Sequence, residues 1–236
     1  GAPELMPADG KALSFSFGKA ERSGRVVLEL EGARLEVGDR VLLEDGELWL
    51  ERGEHVCLIG PNGTGKSTLV AALAGRRKLD GGKLRFGHKV KLGYLAQHAE
   101  VPPEPGLTAL AHAQRSTGLS EAKARALLGR FMFSGSDVEK QVSDLSGGEL
   151  QRLSLAILVS SDANLLILDE PTNHLDVESR EALEEALSGF EGTLLLISHD
   201  RALLEAVGTR TVAFEDRRLR NYLGGWAEYR EVRERA

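Results

Sequence analysis

Nine consecutive residues, Gly60-Pro61-Asn62-Gly63-Thr64-Gly65-Lys66-Ser67-Thr68, fit G-x-x-x-x-G-K-[ST] and constrain the fold more than any other stretch of the chain. The pattern has physical meaning only between a strand and a helix. His55-Val56-Cys57-Leu58-Ile59 has the length and β-branched content of a buried strand. Leu69-Val70-Ala71-Ala72-Leu73-Ala74 is a good helix former, stopped at Gly75. In such a unit the glycines let successive backbone N–H groups curl around phosphate oxygens, and the helix N-terminus adds its positive dipole end. Lys66 is placed to reach the β- and γ-phosphates, and the Ser67 hydroxyl to ligate Mg²⁺. A nucleoside triphosphate site is expected; the alternative is a glycine-rich turn that matches by chance.

The chain has 236 residues, of which 42% are hydrophobic, enough to bury a sizeable core as one large domain or a domain plus a subdomain. A net charge of −6 argues against a nucleic-acid grip by the whole domain, since neutralising phosphates needs a basic face. A local basic patch remains open. The single Cys57 leaves no internal disulfide and fits a reducing, cytoplasmic compartment. No apolar run approaches the ~18 residues needed to span a bilayer, and none reads as a signal peptide, so direct membrane insertion is not expected. The first residue is Gly rather than Met, which suggests a fragment of a longer polypeptide.

Residues 1–24, with Pro3, Pro7, Gly10, Gly18 and Gly24, read as a linker or tail in which Leu13–Phe17 alternates like an added or edge strand. From Val26 to Glu54 alternation dominates. Val27–Glu31, Arg34–Val37, Val41–Leu43 and Glu47–Leu50 read as antiparallel strands, with a turn at Gly38-Asp39. Lys83–Phe86 and Val90–Leu95 read as two more strands, and Pro102-Pro103-Glu104-Pro105-Gly106 as a break. Residues 98–145 read as an inserted helical subdomain, in which Ser120 caps a helix Glu121–Phe133 with an apolar stripe of Leu127, Leu128, Phe131 and Met132. Beyond Glu149 the pattern is βαβ: a helix Leu150–Val159, a strand Leu165–Leu168, a helix Ser179–Phe190, a strand Thr193–Ile197, and a helix Arg201–Val207 capped by Asp200. Val212–Phe214 reads as a last strand, and residues 216–236 as a charged, helical tail. Buried strands between helices imply an α/β fold with a mostly parallel sheet, preceded by an antiparallel β subdomain.

The strand Leu165–Leu168 runs into Asp169-Glu170. After a P-loop, acids at the tip of a buried strand are where a Mg²⁺-organising carboxylate belongs. Asp169 is the candidate for Mg²⁺, directly or through water, and Glu170 for polarising a water aimed at the γ-phosphate. Gln97, past the strand ending at Leu95, is either a polar strand cap or an oxygen donor to Mg²⁺ or the attacking water. His199 should emerge on the same sheet edge as the two acids, as a structural histidine or a γ-phosphate partner. Ser146-Gly147-Gly148-Glu149 opens a helix and forms a second anion-accepting end, or else an ordinary glycine-rich cap. Two phosphate-type sites with one set of metal ligands suggest that the second serves a different nucleotide.

Taken in order, GPNGTGKST, LSGGELQR, LLILDEPTNHLD and ISHD, with Gln97 between the first two, resemble the nucleotide-binding domain of the ABC ATPase superfamily over residues 26–215. The resemblance implies the P-loop NTPase core of the ABC ATPase fold, and ATP with Mg²⁺. It implies a head-to-tail pair in which each ATP lies between one half's P-loop and the other half's LSGG. Ser146, Gly147, Gly148 and Glu149 would then meet a partner's γ-phosphate, and Asp176 would reach across the seam. Glu170 would be the general base and His199 the γ-phosphate contact. Members usually stack adenine on an aromatic about two dozen residues before the P-loop; here the matching position is Val37.

DEPTNHLD with SHDR, LLGRFMFSGSDVEKQVSDLSGGE, the tail RLRNYLGGWAEYRE and the preface FSFGKAERSGRVVLELEG all resemble the ABC-F class. That class carries two ATPase domains on one chain, without a membrane domain. The resemblance implies the second, C-terminal ATPase domain of such a protein, partnered by another ABC ATPase domain in the same polypeptide or by a second copy. It also implies action on the ribosome, in translation or antibiotic resistance. The rivals are the ATP-binding subunit of an ABC transporter, energising a separate permease, and a P-loop phosphotransferase, in which LSGGE has no role.

Overall fold

The computed structural model describes residues 16–17, 22–100 and 104–235. Along the chain these form β1 (Val26–Val37), β2 (Arg40–Glu51), β3 (His55–Ile59), α1 (Lys66–Leu73), β4 (Gly81–Phe86), β5 (Leu92–Leu95), α2 (Ala109–Thr117), α3 (Glu121–Arg130), α4 (Gly147–Val159), β6 (Leu165–Asp169), α5 (Val177–Ser188), β7 (Thr193–Ile197), α6 (Arg201–Val207), β8 (Arg210–Glu215), β9 (Arg218–Leu223) and α7 (Trp226–Arg235). Two short 3₁₀ turns, Gly135–Glu139 and Val142–Asp144, precede α4. The elements divide into two compact units. A sheet unit takes the described residues up to 97 from position 22, with Ala163–Pro171 and 191–235; a helical unit takes His98–Asp162 and Thr172–Phe190.

In the sheet unit, β5-β6-β7-β3-β8 run parallel in that order, and β9 closes the edge antiparallel to β8. Every residue of β3, β6 and β7 is buried, which is why these strands read as unbroken apolar runs rather than alternating ones. The second sheet is antiparallel, in the order β2-β1-β4. Four short strands were expected here; instead β1 and β2 form one long hairpin around the Gly38-Asp39 turn. The breaks in alternation are irregularities of register, between Leu30 and Ala33 and on to Leu35, with Gly32 and Asp45 at φ 57 and 48. A bulge absorbs an extra residue without ending the strand. Leu35, Leu43 and Leu48 of the hairpin share one core with Leu58, Leu69 and Phe214.

Arg210 is buried at 6% exposure and ties four parts of this unit together. Its guanidinium donates to Glu54 at 2.8 and 3.2 Å, to Asn221 at 2.9 Å, and to the Trp49 carbonyl. Residues 216–236, expected to be a helical tail, begin as β9, because Arg218 to Leu223 pairs with β8 before α7 starts. Tyr229 of α7 packs edge-on to Tyr222 of β9, with ring centroids 4.9 Å apart.

In the helical unit each α-helix starts on a side-chain cap: Thr108 for α2, Ser120 for α3, Ser146 for α4 and Asp176 for α5. The α3 helix ends at Arg130, short of the expected Phe133, because Met132 turns to φ 70. Met132 therefore leaves the apolar stripe, at 41% exposure, while Phe131 and Phe133 are buried. α4 and α5 start earlier than expected, at Gly147 and Val177, and α5 ends at Ser188. The alternating run at Leu13–Phe17 lies mostly outside the described residues; Ser16 and Phe17 belong to no strand, and Phe17 packs edge-on against Phe190. Among the described residues no helix is long and apolar enough to cross a membrane.

Candidate nucleotide-binding site

The P-loop leaves β3 through Gly60, where a Cβ would lie 2.1 Å from the Phe214 carbonyl oxygen. Only glycine fits that approach. The loop ends at Gly65, the N-cap of α1 at φ 107, a conformation that L side chains rarely adopt. Gly65 offers no side-chain cap, so the first N–H groups of α1 remain available to an anion. Lys66, Ser67 and Thr68 make the first turn of α1, which therefore starts three residues before the apolar run that announced it. Pro61, Asn62 and Gly63 are exposed, and the Thr64 hydroxyl donates to the Pro61 carbonyl at 3.0 Å.

Lys66 folds back onto this loop. Its Nζ donates to the carbonyls of Gly60 at 2.5 Å and Pro61 at 2.9 Å. Burial pushes its pKa down, while the carboxylates of Glu170 and Asp169 pull it the other way. Arg40 adds a second tether, its Nη2 donating to the Gly63 carbonyl at 2.7 Å.

β6 delivers Asp169 and Glu170 to the same unit, at 1% and 5% exposure. Glu170 has φ 52, and its N–H donates to Ile197 of β7 at 2.8 Å. A non-glycine residue in this region is uncommon and costs of order 1 kcal/mol, so the surroundings must hold it there. His199 does so from two atoms: its N–H donates to Glu170 Oε2 at 3.3 Å, and its Nδ1 meets Oε1. On the other side of the loop the Ser67 hydroxyl donates to Gln97 Oε1 at 3.1 Å.

Among the described residues no group of three or more His, Cys, Asp or Glu could hold a metal. A hydroxyl, an amide oxygen and a single carboxylate (Ser67, Gln97 and Asp169) are a hard, oxygen-only donor set. This fits Mg²⁺, which keeps several waters and takes its remaining ligands from substrate phosphates.

In the helical unit Ser146 and Glu149 form a reciprocal capping box. The Ser146 hydroxyl accepts from Glu149 N–H at 3.2 Å, and Glu149 Oε1 accepts from Ser146 N–H at 3.0 Å. Lys140 Nζ holds the other oxygen, Oε2, at 3.1 Å. The Ser146 N–H is the main cause of a Glu149 carboxyl held below the usual carboxylate range. The box consumes the N–H groups of Ser146 and Glu149 and leaves those of Gly147 and Gly148 outside it. Ser146 and Gly147 face solvent. His174, at φ 64, lines the same end, its Cβ 3.3 Å from where a Gly148 Cβ would sit. Asp176 accepts from Ser179 N–H at 2.7 Å; the Ser179 hydroxyl and N–H together hold its carboxyl low.

The sheet unit thus brings Lys66 to its own loop, Ser67 to Gln97 and Glu170 to His199; the helical unit gathers Ser146, Gly147, Gly148 and Glu149. Val37, the candidate base contact, ends β1 at 53% exposure, and its cross-strand partner Arg40 is what reaches the loop. Sequence reading missed Arg40 and Lys140. The turn at Gly38-Asp39 signalled the first only indirectly, by setting Arg40 opposite Val37; nothing in the spacing singled out the second.

A family model described as "ABC transporter" matches residues 43–173. YdiF of Bacillus subtilis (strain 168) is 41% identical over 224 residues, covering 94% of this chain and 35% of its own length. The energy-dependent translational throttle protein EttA of Escherichia coli (strain K12) is 39% identical over 224 residues, covering 91% of this chain and 40% of its own. Among solved structures, the dimeric post-hydrolysis state of the ATP-binding cassette MJ0796 bound to ADP and Pi superposes with a TM-score of 0.71 at 21% identity, over 83% of this chain and 98% of that one. The chain belongs to the ABC transporter family of ATP-binding domains, and its fold is the ABC ATPase fold. Its curated relatives are of the ABC-F type, and it spans less than half of their length.

Proposed function

We propose that this chain is one of two halves of an ATP-hydrolysing machine, the C-terminal ATPase domain of an ABC-F protein. The observation that carries the reading is the presence, in one chain, of a complete P-loop and a separate, solvent-facing anion-accepting helix end at Ser146-Gly147-Gly148. A second end of this kind is superfluous unless it serves another domain's nucleotide.

ATP binds with its β- and γ-phosphates in the P-loop, and Lys66 exchanges the Gly60 and Pro61 carbonyls for phosphate oxygens. Ser67, Gln97 and Asp169 would hold Mg²⁺, which would supply positive charge against that developing on the phosphates. Glu170 orients a water and takes its proton as the water oxygen bonds to the γ-phosphorus and the bond to the ADP oxygen breaks. His199, with Nδ1 committed to Glu170, presents its Nε2 edge to the γ-phosphate. The counterparts of the Gly147 and Gly148 amides and the Ser146 hydroxyl in a second domain complete the donor set for the transition state, with Asp176 at the seam. That second domain is another part of the full-length protein or a second copy of this chain. Val37 packs against the base without a ring to stack on it.

The EttA relative is named as a translational throttle, and the ABC-F reading extends the partner to the ribosome, in the cytoplasm. Binding that salt weakens would mark contact with RNA phosphates. Replacing Glu170 by Gln tests the core of the reading. The variant should bind ATP, lose turnover and accumulate as an ATP-dependent dimer in sedimentation velocity; parental turnover would remove Glu170 from the role of base.

A further inference from the structure

Glu149 places a carboxylate in the first turn of α4, at the helix end that the proposed function reserves for a γ-phosphate. Two anions at one helix end repel, and a carboxylate free to swing could also occupy the amides that the phosphate needs. In the structure the carboxylate is held by two other groups. Oε1 is bound to Ser146 N–H at 3.0 Å and Oε2 to Lys140 Nζ at 3.1 Å, so both oxygens are engaged by partners other than the Gly147 and Gly148 N–H groups. The same arrangement fixes Ser146: its hydroxyl oxygen accepts from Glu149 N–H at 3.2 Å, which leaves the hydroxyl proton to donate outward. Lys140 is itself held in place. It follows the 3₁₀ turn Gly135–Glu139, its N–H donates to the Asp137 carbonyl at 3.2 Å, its Nζ lies 3.8 Å from Asp137 Oδ1, and its carbonyl accepts from Ala109 N–H of α2 at 2.9 Å.

We propose that Lys140 is a positioning residue for the signature: it clamps Glu149 into the capping box and cancels its charge, so that Ser146, Gly147 and Gly148 can receive the γ-phosphate of a second domain. The proposal rests on the shared-site reading and adds to it a residue that touches neither nucleotide nor reacting atoms. An ordinary surface ion pair would contribute little to stability. Here the consequence lies in assembly, because the uncompensated charge would face the incoming phosphate.

The test uses this chain in the Glu170→Gln background, with ATP, and reads the protein concentration at which half of it is dimeric. Lys140→Ala should raise that concentration about tenfold, equivalent to ~1.4 kcal/mol, with ATP affinity of the monomer and the thermal midpoint unchanged. Lys140→Arg should stay within about twofold of the Lys140 parent, since it keeps the charge and the reach. Adding Glu149→Gln to Lys140→Ala should recover most of the loss, because Gln can still accept from Ser146 N–H without carrying charge. If Lys140→Ala assembles at the parental concentration, or if the double variant is as weak as the single one, the clamp is overturned while the shared site stands. If the Glu170→Gln parent forms no ATP-dependent dimer, the shared-site reading fails for two copies of this chain, and the Lys140 clamp between them falls with it.

Discussion

Glu170 and His199 sit at the exits of adjacent parallel strands, and one carboxylate meets the histidine twice, Oε2 taking the backbone N–H at 3.3 Å and Oε1 facing Nδ1. The pairing explains how a glutamate at φ 52 stays in place on a tip where nothing covalent restrains it. It also divides the histidine into a structural edge and a free edge, with 62% of the side chain exposed. The two readings of His199 left open by the sequence, structural histidine and phosphate contact, are therefore compatible. One ring nitrogen is available for each, Nε2 donating to a phosphate when it too carries a proton.

This division predicts the behaviour of His199→Ala. Turnover should fall about 10²-fold, within the range for loss of one positioned polar group at a reacting centre. ATP affinity should change by no more than about twofold, because the backbone N–H still restrains Glu170 and Lys66 is untouched. Single-turnover hydrolysis alongside nucleotide titration separates the two. Weakened binding with unchanged single-turnover chemistry would contradict the assignment.

Lys66→Ala should act at the opposite step. Charge-assisted hydrogen bonds contribute ~1.5–3 kcal/mol, so ATP affinity should drop about 10²-fold. The loop carbonyls of Gly60 and Pro61 lose their donor as well. Fluorescent-nucleotide titration of the monomer reads this directly, and parental affinity would count against a phosphate role for Lys66.

Arg210 predicts a purely structural effect. Arg210→Met strips Glu54, Asn221 and the Trp49 carbonyl of their shared donor and leaves a carboxylate unpaired. Removing one partner of a buried pair costs about 3–5 kcal/mol. Chemical denaturation should show a loss of that size, with nucleotide affinity retained in the folded fraction. Unchanged stability would mean that the pair's desolvation cost cancels its attraction.

What the sequence made legible follows from how each element is stabilised. β3, β6 and β7 lie in the middle of a parallel sheet, buried throughout and apolar but for His55, Asp169 and Thr193 at their ends, so their bounds were readable to within a residue. The β1–β2 hairpin was misread as four strands because bulges interrupt alternation just as turns do, and only the pairing partner distinguishes them. β9 escaped notice because Arg218-Leu219-Arg220-Asn221-Tyr222-Leu223 buries no face, and its strand conformation comes from edge pairing with β8. The site shows the same contrast. Lys66, Ser67, Asp169, Glu170 and His199 stand at positions dictated by local chain geometry. Arg40 and Lys140 act through contacts with Gly63 of the P-loop and Glu149 of α4, 23 and 9 residues away, which no local pattern encodes.

We infer that this chain holds half of each of two sites. The direct measurement is steady-state ATP turnover per mole of chain as a function of chain concentration, from well below to well above the dimer midpoint of the Glu170→Gln variant. A shared site predicts a per-chain rate that is very low in the monomer, rises with concentration and levels off as the dimer fills. A per-chain rate that is high and constant across the whole range would show that one chain hydrolyses ATP alone, and would contradict the account.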